Sequence, residues 1–242
     1  MHQFFIEPEA VRGDTVLITG AEAHHLRTVL RLAAGDRVRL FDGTGRILEA
    51  VVTRVSKGET ETRIVACTTA EPPPVQVHIG QAQLKGKKMD LLVQKANELG
   101  IQTLMPFVSA RCEVRTGNPE RQERWERIVF ESCKQCGRAV PMACPPETDF
   151  AGMLAAGCEF DLKLIFWEEE RQRSLGPLLA PMAPVHTAMA LIGPEGGFTE
   201  EEVTQATAAG FLPVSIGRRI LRAETASLAA MAILQHRFGN LD

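Results

Sequence analysis

Two short glycine-bearing segments hold most of the residues that could do chemistry. Gly193-Pro194-Glu195-Gly196-Gly197 follows the apolar run MALI, and Gly217-Arg218-Arg219-Ile220-Leu221-Arg222 follows FLPVSI. Glycines let backbone N–H and C=O groups come close to a flat or polar ligand, and Glu195 adds negative charge. Taken alone, the first segment reads as a tight turn. The second adds three arginines, whose guanidinium groups fork onto phosphate or carbonyl edges. Two such turns, each at the end of a strand, point to a ligand mouth at the carboxyl edge of a sheet.

The nature of the ligand is constrained by what surrounds the first turn. No GxxxxGK[ST] occurs, and no strand is followed by GxGxxG with a helix opening behind it. Thr199 and Glu202 form a capping-box pattern, with Glu200 and Glu201 filling the rest of the first helical turn. Three carboxylates there satisfy the helix dipole and repel a phosphate seeking the same amides. A ligand without phosphate and with some positive charge suits the site better.

These turns belong to a repeating pattern. From VQVHIGQAQL onward, strands alternate with helices: LLVQKANELG, TLMPFVS, ERWERIVFESCKQCG, a short VPMAC strand, DFAGMLAAG, DLKLIFWEE and a short helix around LGPLLAPM. Alternation of this kind predicts an α/β fold with a parallel sheet covered on both faces. The last helix, ASLAAMAILQHRF, is apolar nearly all round and asks for cover on more than one side, which a partner subunit would supply. Upstream, FFIE, TVLIT, DRVRLFDG, RILEAVVTRVS and ETRIVACTTA read as strands of a small β module, with a helix at about Glu22 to Leu30. The run Glu71-Pro72-Pro73-Pro74 can continue neither strand nor helix, so the expected domains are residues 1–71 and 72–242.

Composition narrows the class. With 242 residues, 45% hydrophobic and 24% charged, the chain can bury a large core and has the make-up of an ordinary soluble globular protein. It has no apolar run long enough to span a bilayer, and MHQFFIEPEA has neither a basic n-region nor an apolar h-region, so a cytoplasmic protein is expected. Six scattered cysteines form no disulfide framework. Cys133 and Cys136, the lone CxxC, lie late in a helical pattern and read as packing, and no metal site is expected. His24 and His25 lack further ligands close by and read as capping or RNA-facing residues. Net charge is −3, yet residues 81–140 hold 11 Lys+Arg against 7 Asp+Glu, while residues 141–242 hold 7 against 13. A basic middle beside an acidic end is compatible with one surface that meets a polyanion, as it is with a solvated helix face.

The two turns in their context, LIGPEGGFTEEEV and SIGRRILRAETASLAAMAIL, resemble the C-terminal signature of the SPOUT methyltransferases, specifically the RsmE family. That family methylates N3 of one uridine in bacterial 16S ribosomal RNA. KGKKMDLLVQKANELGI, LMPFVSARCEV, RWERIVFESCKQCGRAVP and HHLRTVLRLAAGDRVRLFDGTG resemble the family's other blocks, so the likeness covers nearly the whole chain. The resemblance implies an N-terminal PUA-like RNA-binding β-barrel and a C-terminal SPOUT domain whose last elements form a trefoil knot. It further implies S-adenosylmethionine bound in a bent form inside the knot, and a homodimer.

Carried over by position, the resemblance places Ile192, Gly193, Glu195, Gly196 and Gly197 on one side of the cofactor. Ile216, Gly217, Ile220, Leu221 and Arg222 stand on the other, with Phe166 and Trp167 as a third wall. Uridine N3 carries a proton at neutral pH, so methylation needs alignment plus a base or stabilisation of the anion spread over N3, O2 and O4. Arg222 is expected to stabilise that anion, with Glu195 or Glu224 as proton acceptor; simple pairing of Arg222 with Glu224 is the alternative. For RNA contact, Arg27, Arg31, Lys87, Lys88, Arg111 and Arg138 are the candidates. A methyltransferase acting on another RNA such as tRNA, and a non-catalytic RNA-binding or assembly factor, remain as rival expectations.

Overall fold

The computed structural model describes residues 1–113, 119–182, 185–239 and 241. Val114, the last residue of the LMPFVSARCEV block, therefore lies outside the described residues. By its contacts the chain divides into two compact units, Met1–Pro72 with Phe130–Pro141, and Pro73–Val129 with Met142–Asp242.

In the first unit, β1 (His2–Phe5), β2 (Val11–Arg12), β3 (Thr15–Thr19), β4 (Arg37–Phe41), β5 (Arg46–Val55) and β6 (Glu59–Thr69) form one sheet ordered β1-β4-β5-β6-β3-β2. Only the β1 and β4 pair is parallel. Alternation buries Leu48, Ala50 and Val52 of β5 against Phe4, Val16, Ile18, Val38 and Leu40. The Asp42–Gly45 turn joins β4 to β5. Asp42 accepts from Thr44 N at 3.0 Å, Thr44 Oγ1 at 2.7 Å and Arg46 Nε at 2.8 Å. Burial alone would raise its pKa, but these bonds hold the carboxyl below its ordinary range.

The expected helix of this unit is present but differently built. α1 (Gly20–His24) starts early and passes into a π-type turn, His25–Val29. The turn closes through Arg31 at φ 55°, where Leu32 N reaches back to Leu26 O at 3.1 Å. Phe130–Pro141 lies beyond the proline run in sequence, yet its contacts are with this unit. Phe130 packs on Phe5 with ring centroids 4.7 Å apart, Lys134 Nζ donates to Glu22 at 2.8 Å, and Gln3 Nε2 donates to Arg138 O at 3.3 Å. Cys133 is buried and Cys136 exposed.

The second unit holds β7 (Gln76–Ala82), α2 (Lys88–Glu98), β8 (Thr103–Val108), α3 (Pro119–Cys136, to Val129), β9 (Thr148–Asp149), α4 (Phe150–Ala156) and β10 (Leu162–Phe166). α5 (Leu175–Leu179), β11 (Thr187–Ile192), α6 (Glu200–Ala208), β12 (Leu212–Val214) and α7 (Ala223–Phe238) complete it. The sheet order is β12-β10-β11-β7-β8-β9 and every neighbouring pair is parallel. The VPMAC segment forms no extended strand; Ala143 makes a single bridge to Thr103. Chain order and spatial order part company here. The chain leaves β9 at one edge and re-enters at β10 beyond β11, which then inserts between β10 and β7. The carboxyl ends of β10, β11 and β12 thus lie side by side. Among the described residues no helix is long and apolar enough to cross a membrane.

Candidate active site

The first turn is positioned from both ends. β11 is buried from Ala188 onward and delivers the chain at Gly193, while α6 begins just after the turn. The predicted capping box is present: Glu202 N donates to Thr199 Oγ1 at 3.1 Å and Thr199 N to Glu202 Oε2 at 2.9 Å. The other oxygen of Glu202 accepts from Ala110 N at 2.7 Å, so this carboxylate is fully committed to structure. Gly197 has φ +69°, and a Cβ there would stand 2.0 Å from Glu168 Oε1. A side chain at this position would be both strained and in collision.

The second turn hangs between β12 and α7, and a buried latch ties α7 to the first turn. Gln81 and Ser227 are both fully buried. Gln81 Nε2 donates to Ala82 O at 2.9 Å and to Gly193 O at 3.5 Å, and Gln81 Oε1 accepts from Ser227 Oγ at 2.5 Å. Two carbonyl acceptors on one side and a hydroxyl on the other fix the orientation of the amide. Neither residue was expected from the sequence, because a polar side chain in an apolar strand or helix shows no partner until the strands are ordered.

Between the turns lies a cavity of about 270 Å³. Its walls are the end of β10 (Phe166, Trp167), the first turn (Ile192, Gly193, Glu195, Gly197) and the second (Ile216, Gly217, Ile220, Leu221, Arg222). Gly196 is placed differently. It faces Arg111, whose Cβ would meet a Gly196 side chain at 3.1 Å and whose Nη1 bonds Gly196 O at 2.9 Å and Phe198 O at 3.2 Å. Lys88, Glu168 and Arg171 also line the cavity. Lys88 was expected at RNA and not at this cavity, and Glu168 and Arg171 were not singled out in the sequence.

The charges at the rim are arranged unequally. Lys88 Nζ stands 2.9 Å from Glu195 Oε1, which also accepts from Lys85 N at 3.1 Å. The same ammonium is 3.3 Å from Glu224 Oε2, an ion-pair distance without hydrogen-bond geometry, since that buried oxygen accepts no bond among the described residues. Burial alone would raise the Glu195 pKa, but Lys88 and Lys85 N hold it below its ordinary value; Glu195 in turn raises that of Lys88. Glu195 lines the cavity whereas Glu224 does not. Arg222 caps α7 through its carbonyl, which accepts from Ala226 N at 2.8 Å, and its exposed guanidinium makes no ion pair or hydrogen bond among the described residues. Glu224 pairs with Lys88, and Arg222 is left to face the cavity.

Lys88 is therefore held at the rim of the cavity, and Arg111 braces the first turn with the rest of its guanidinium exposed. Arg138 is half-buried, its Nε bonding Val140 O at 2.5 Å, and burial lowers its pKa. Arg27, Arg31 and Lys87 are exposed.

Two features of the cavity bear on what it can hold. Trp167 lines the cavity, and its Nε1 is buried with no hydrogen-bond partner among the described residues, an unmet donor. The cavity also presents the carboxylates of Glu168 and Glu195 beside bare glycine backbone. Lys88, Arg171, Arg218, Arg219 and Arg222 share these walls, so the cavity offers carboxylates to a cationic group and guanidinium donors to polar acceptor atoms.

The family profile described as RNA methyltransferase domain matches residues 71–235, and the one described as RNA methyltransferase PUA domain matches residues 18–65. A ribosomal RNA small subunit methyltransferase E of Buchnera aphidicola subsp. Schizaphis graminum is 30% identical, over 94% of this chain and 93% of the relative. The crystal structure of such a protein from Neisseria gonorrhoeae, bound to S-adenosyl methionine, covers all of both chains at 34% identity with a TM-score of 0.87. A structure from Legionella pneumophila in complex with the same cofactor is 29% identical, over 99% of this chain and 98% of that one, with a TM-score of 0.86.

Proposed function

Since this chain belongs to the RNA methyltransferase family, among the ribosomal RNA small subunit methyltransferases E, we propose that it methylates N3 of one uridine in 16S ribosomal RNA, using S-adenosylmethionine. The observation that carries the site assignment is the single cavity that joins three strand ends, with the free guanidinium of Arg222 and the Lys88-bound carboxylate of Glu195 on its rim. In this reading residues 1–71 form a PUA-like RNA-binding barrel and residues 72–242 the SPOUT methyltransferase domain. The insertion of β11 between β7 and β10 suits a chain threaded as a trefoil knot.

When bound, S-adenosylmethionine supplies an electrophilic methyl group and departs as a neutral thioether. The bare backbone at Gly193, Gly197 and Gly217, the apolar side chains of Ile192, Ile216 and Leu221, and the donor of Trp167 would hold it. Gly196 would act through the backbone of the turn and its bond from Arg111. Glu168 and Glu195 would face its positive charge. The protein's own task is to make uridine N3 nucleophilic. Arg222 stabilises negative charge on the uracil oxygens, and Glu195, ionised at neutral pH, takes the N3 proton as the N3–methyl bond forms. Glu224 fixes Lys88, and through it Glu195.

The partly exposed face of α7, which includes Leu228, Ala229, Ala232 and Ile233, supports a homodimer. The protein is read as cytoplasmic, with no metal in its chemistry. The test is transfer of radiolabelled methyl to small ribosomal subunits, with mass mapping of the modified nucleoside. Methyl found only on tRNA, or on another position, would replace the proposed target.

A further inference from the structure

A second cavity, of about 400 Å³, lies between the start of α2 and one face of α3. The entry into α2 contributes to both cavities: Lys88, its first residue, lines the first, and Gly86 and Lys87 just before it line the second. Arg121, Arg124 and Arg127 project into it from α3 at spacing three, which places them on adjoining turns of one face. Asp90 and Glu120 are its acidic members, so cations outnumber carboxylates. Asp90 pairs with Arg124 and accepts from Trp125 Nε1 at 3.2 Å, and Arg121 donates to the neutral Gln83 Oε1 at 3.3 Å. Lys87 and Arg127 are exposed, and their side chains have no ion-pair or hydrogen-bond partner among the described residues.

We propose that this second cavity is a phosphate-binding subsite for the RNA strand flanking the nucleotide held at the first. The inference rests on the RNA methyltransferase reading above. Excess positive charge in a concave wall recruits an anion. Consecutive residues of one segment, Lys87 and Lys88, face the two cavities, so a strand leaving the first need cross only that segment to enter the second. Trp125 is 2% exposed, which removes the one aromatic ring as a stacking platform. The subsite thus reads backbone charge rather than base identity, and positions the strand without specifying its sequence.

The test uses the full chain carrying K87A and R127A together, with methyl transfer to small ribosomal subunits measured over a range of salt. The KM for RNA should rise by about tenfold at physiological salt, and the slope of log affinity on log salt should flatten by about 1.4, or ~0.7 per single-strand phosphate lost. Turnover at saturating RNA and calorimetric affinity for S-adenosylmethionine should hold, and the charge-conserving K87R with R127K should restore the KM. Wild-type KM and salt slope in the double alanine variant would overturn the proposal. So would a changed oligomeric mass with the salt slope intact, because the cavity would then belong to a contact between copies. Filter binding of labelled 16S RNA reads the same slope without turnover. Absence of methyl transfer by the wild type would sink the enzymatic reading while leaving the subsite measurable.

Discussion

Arg222 and Glu195 stand on one rim but are held in opposite ways. Glu195 is tied by Lys88 and the backbone of Lys85, whereas the guanidinium of Arg222 is unengaged among the described residues. Removing Arg222 by R222A should lower kcat by about 100-fold or more, the scale of losing a donor to a developing anion, with the unfolding midpoint unchanged. Near-wild-type turnover would discard that role. E195Q should cost a further general-base factor of about 100-fold and E224Q much less, because only Glu195 lines the cavity. The pH dependence follows from the direction of each shift. Glu195 sits below its ordinary 4.5, so the Lys88–Glu195 pair stabilises the fold above that value and is lost as pH falls through the lower native one. Lys88 sits above its ordinary 10.5, so its share is whole below that value and is lost as pH rises through the native one. The difference in unfolding midpoint between wild type and K88M should persist between those limits and fade beyond each. In K88M the acid limb of turnover should also move to higher pH.

Among the elements, α6 was legible and the latch that joins β7 to α7 was not. Thr199 and Glu202 announce their capping box through spacing alone, because the motif is local. T199A should therefore cost about 1 kcal/mol in chemical denaturation. Gln81 and Ser227 are separated by most of the second unit, and nothing in VQVHIGQAQL or TASLAAM shows that they meet. S227A leaves the buried Gln81 oxygen unpaired and frees the first turn from α7. Affinity for S-adenosylmethionine, read by calorimetry, should fall several-fold while kcat changes less; lowered stability with unchanged affinity would reduce the latch to a packing contact. The π-type turn after α1 was equally hidden. Sequence periodicity marks a helix there, but only the backbone reveals Arg31 at φ 55°. R31G should leave the unfolding midpoint at or above wild type, since glycine accepts that conformation, while weakening RNA binding if the charge is used.

At the scale of the molecule, two units with different sheets share one chain, and the contacts assign Phe130–Pro141 to the unit that the chain leaves at Pro72. Oligomeric state is a further whole-molecule property. Light scattering should return twice the chain mass of 26.5 kDa, and I233E on α7 should shift it toward one chain. The α/β alternation, the two glycine-bearing turns and the capping box could all be read from the chain alone. All of these rest on residues within a few positions of one another, where spacing maps directly onto geometry. That β11 inserts between β7 and β10, that Lys88 joins Glu195 to Glu224, and that Gly196 turns to Arg111 and away from the cavity emerged only once the chain was folded. Those pairings are set by strand order and by which buried polar atoms find partners, and neither is written in the spacing of the chain. The pair of turns thus marked two walls of one cavity, and the packed sheet determined which charged groups stand at its rim.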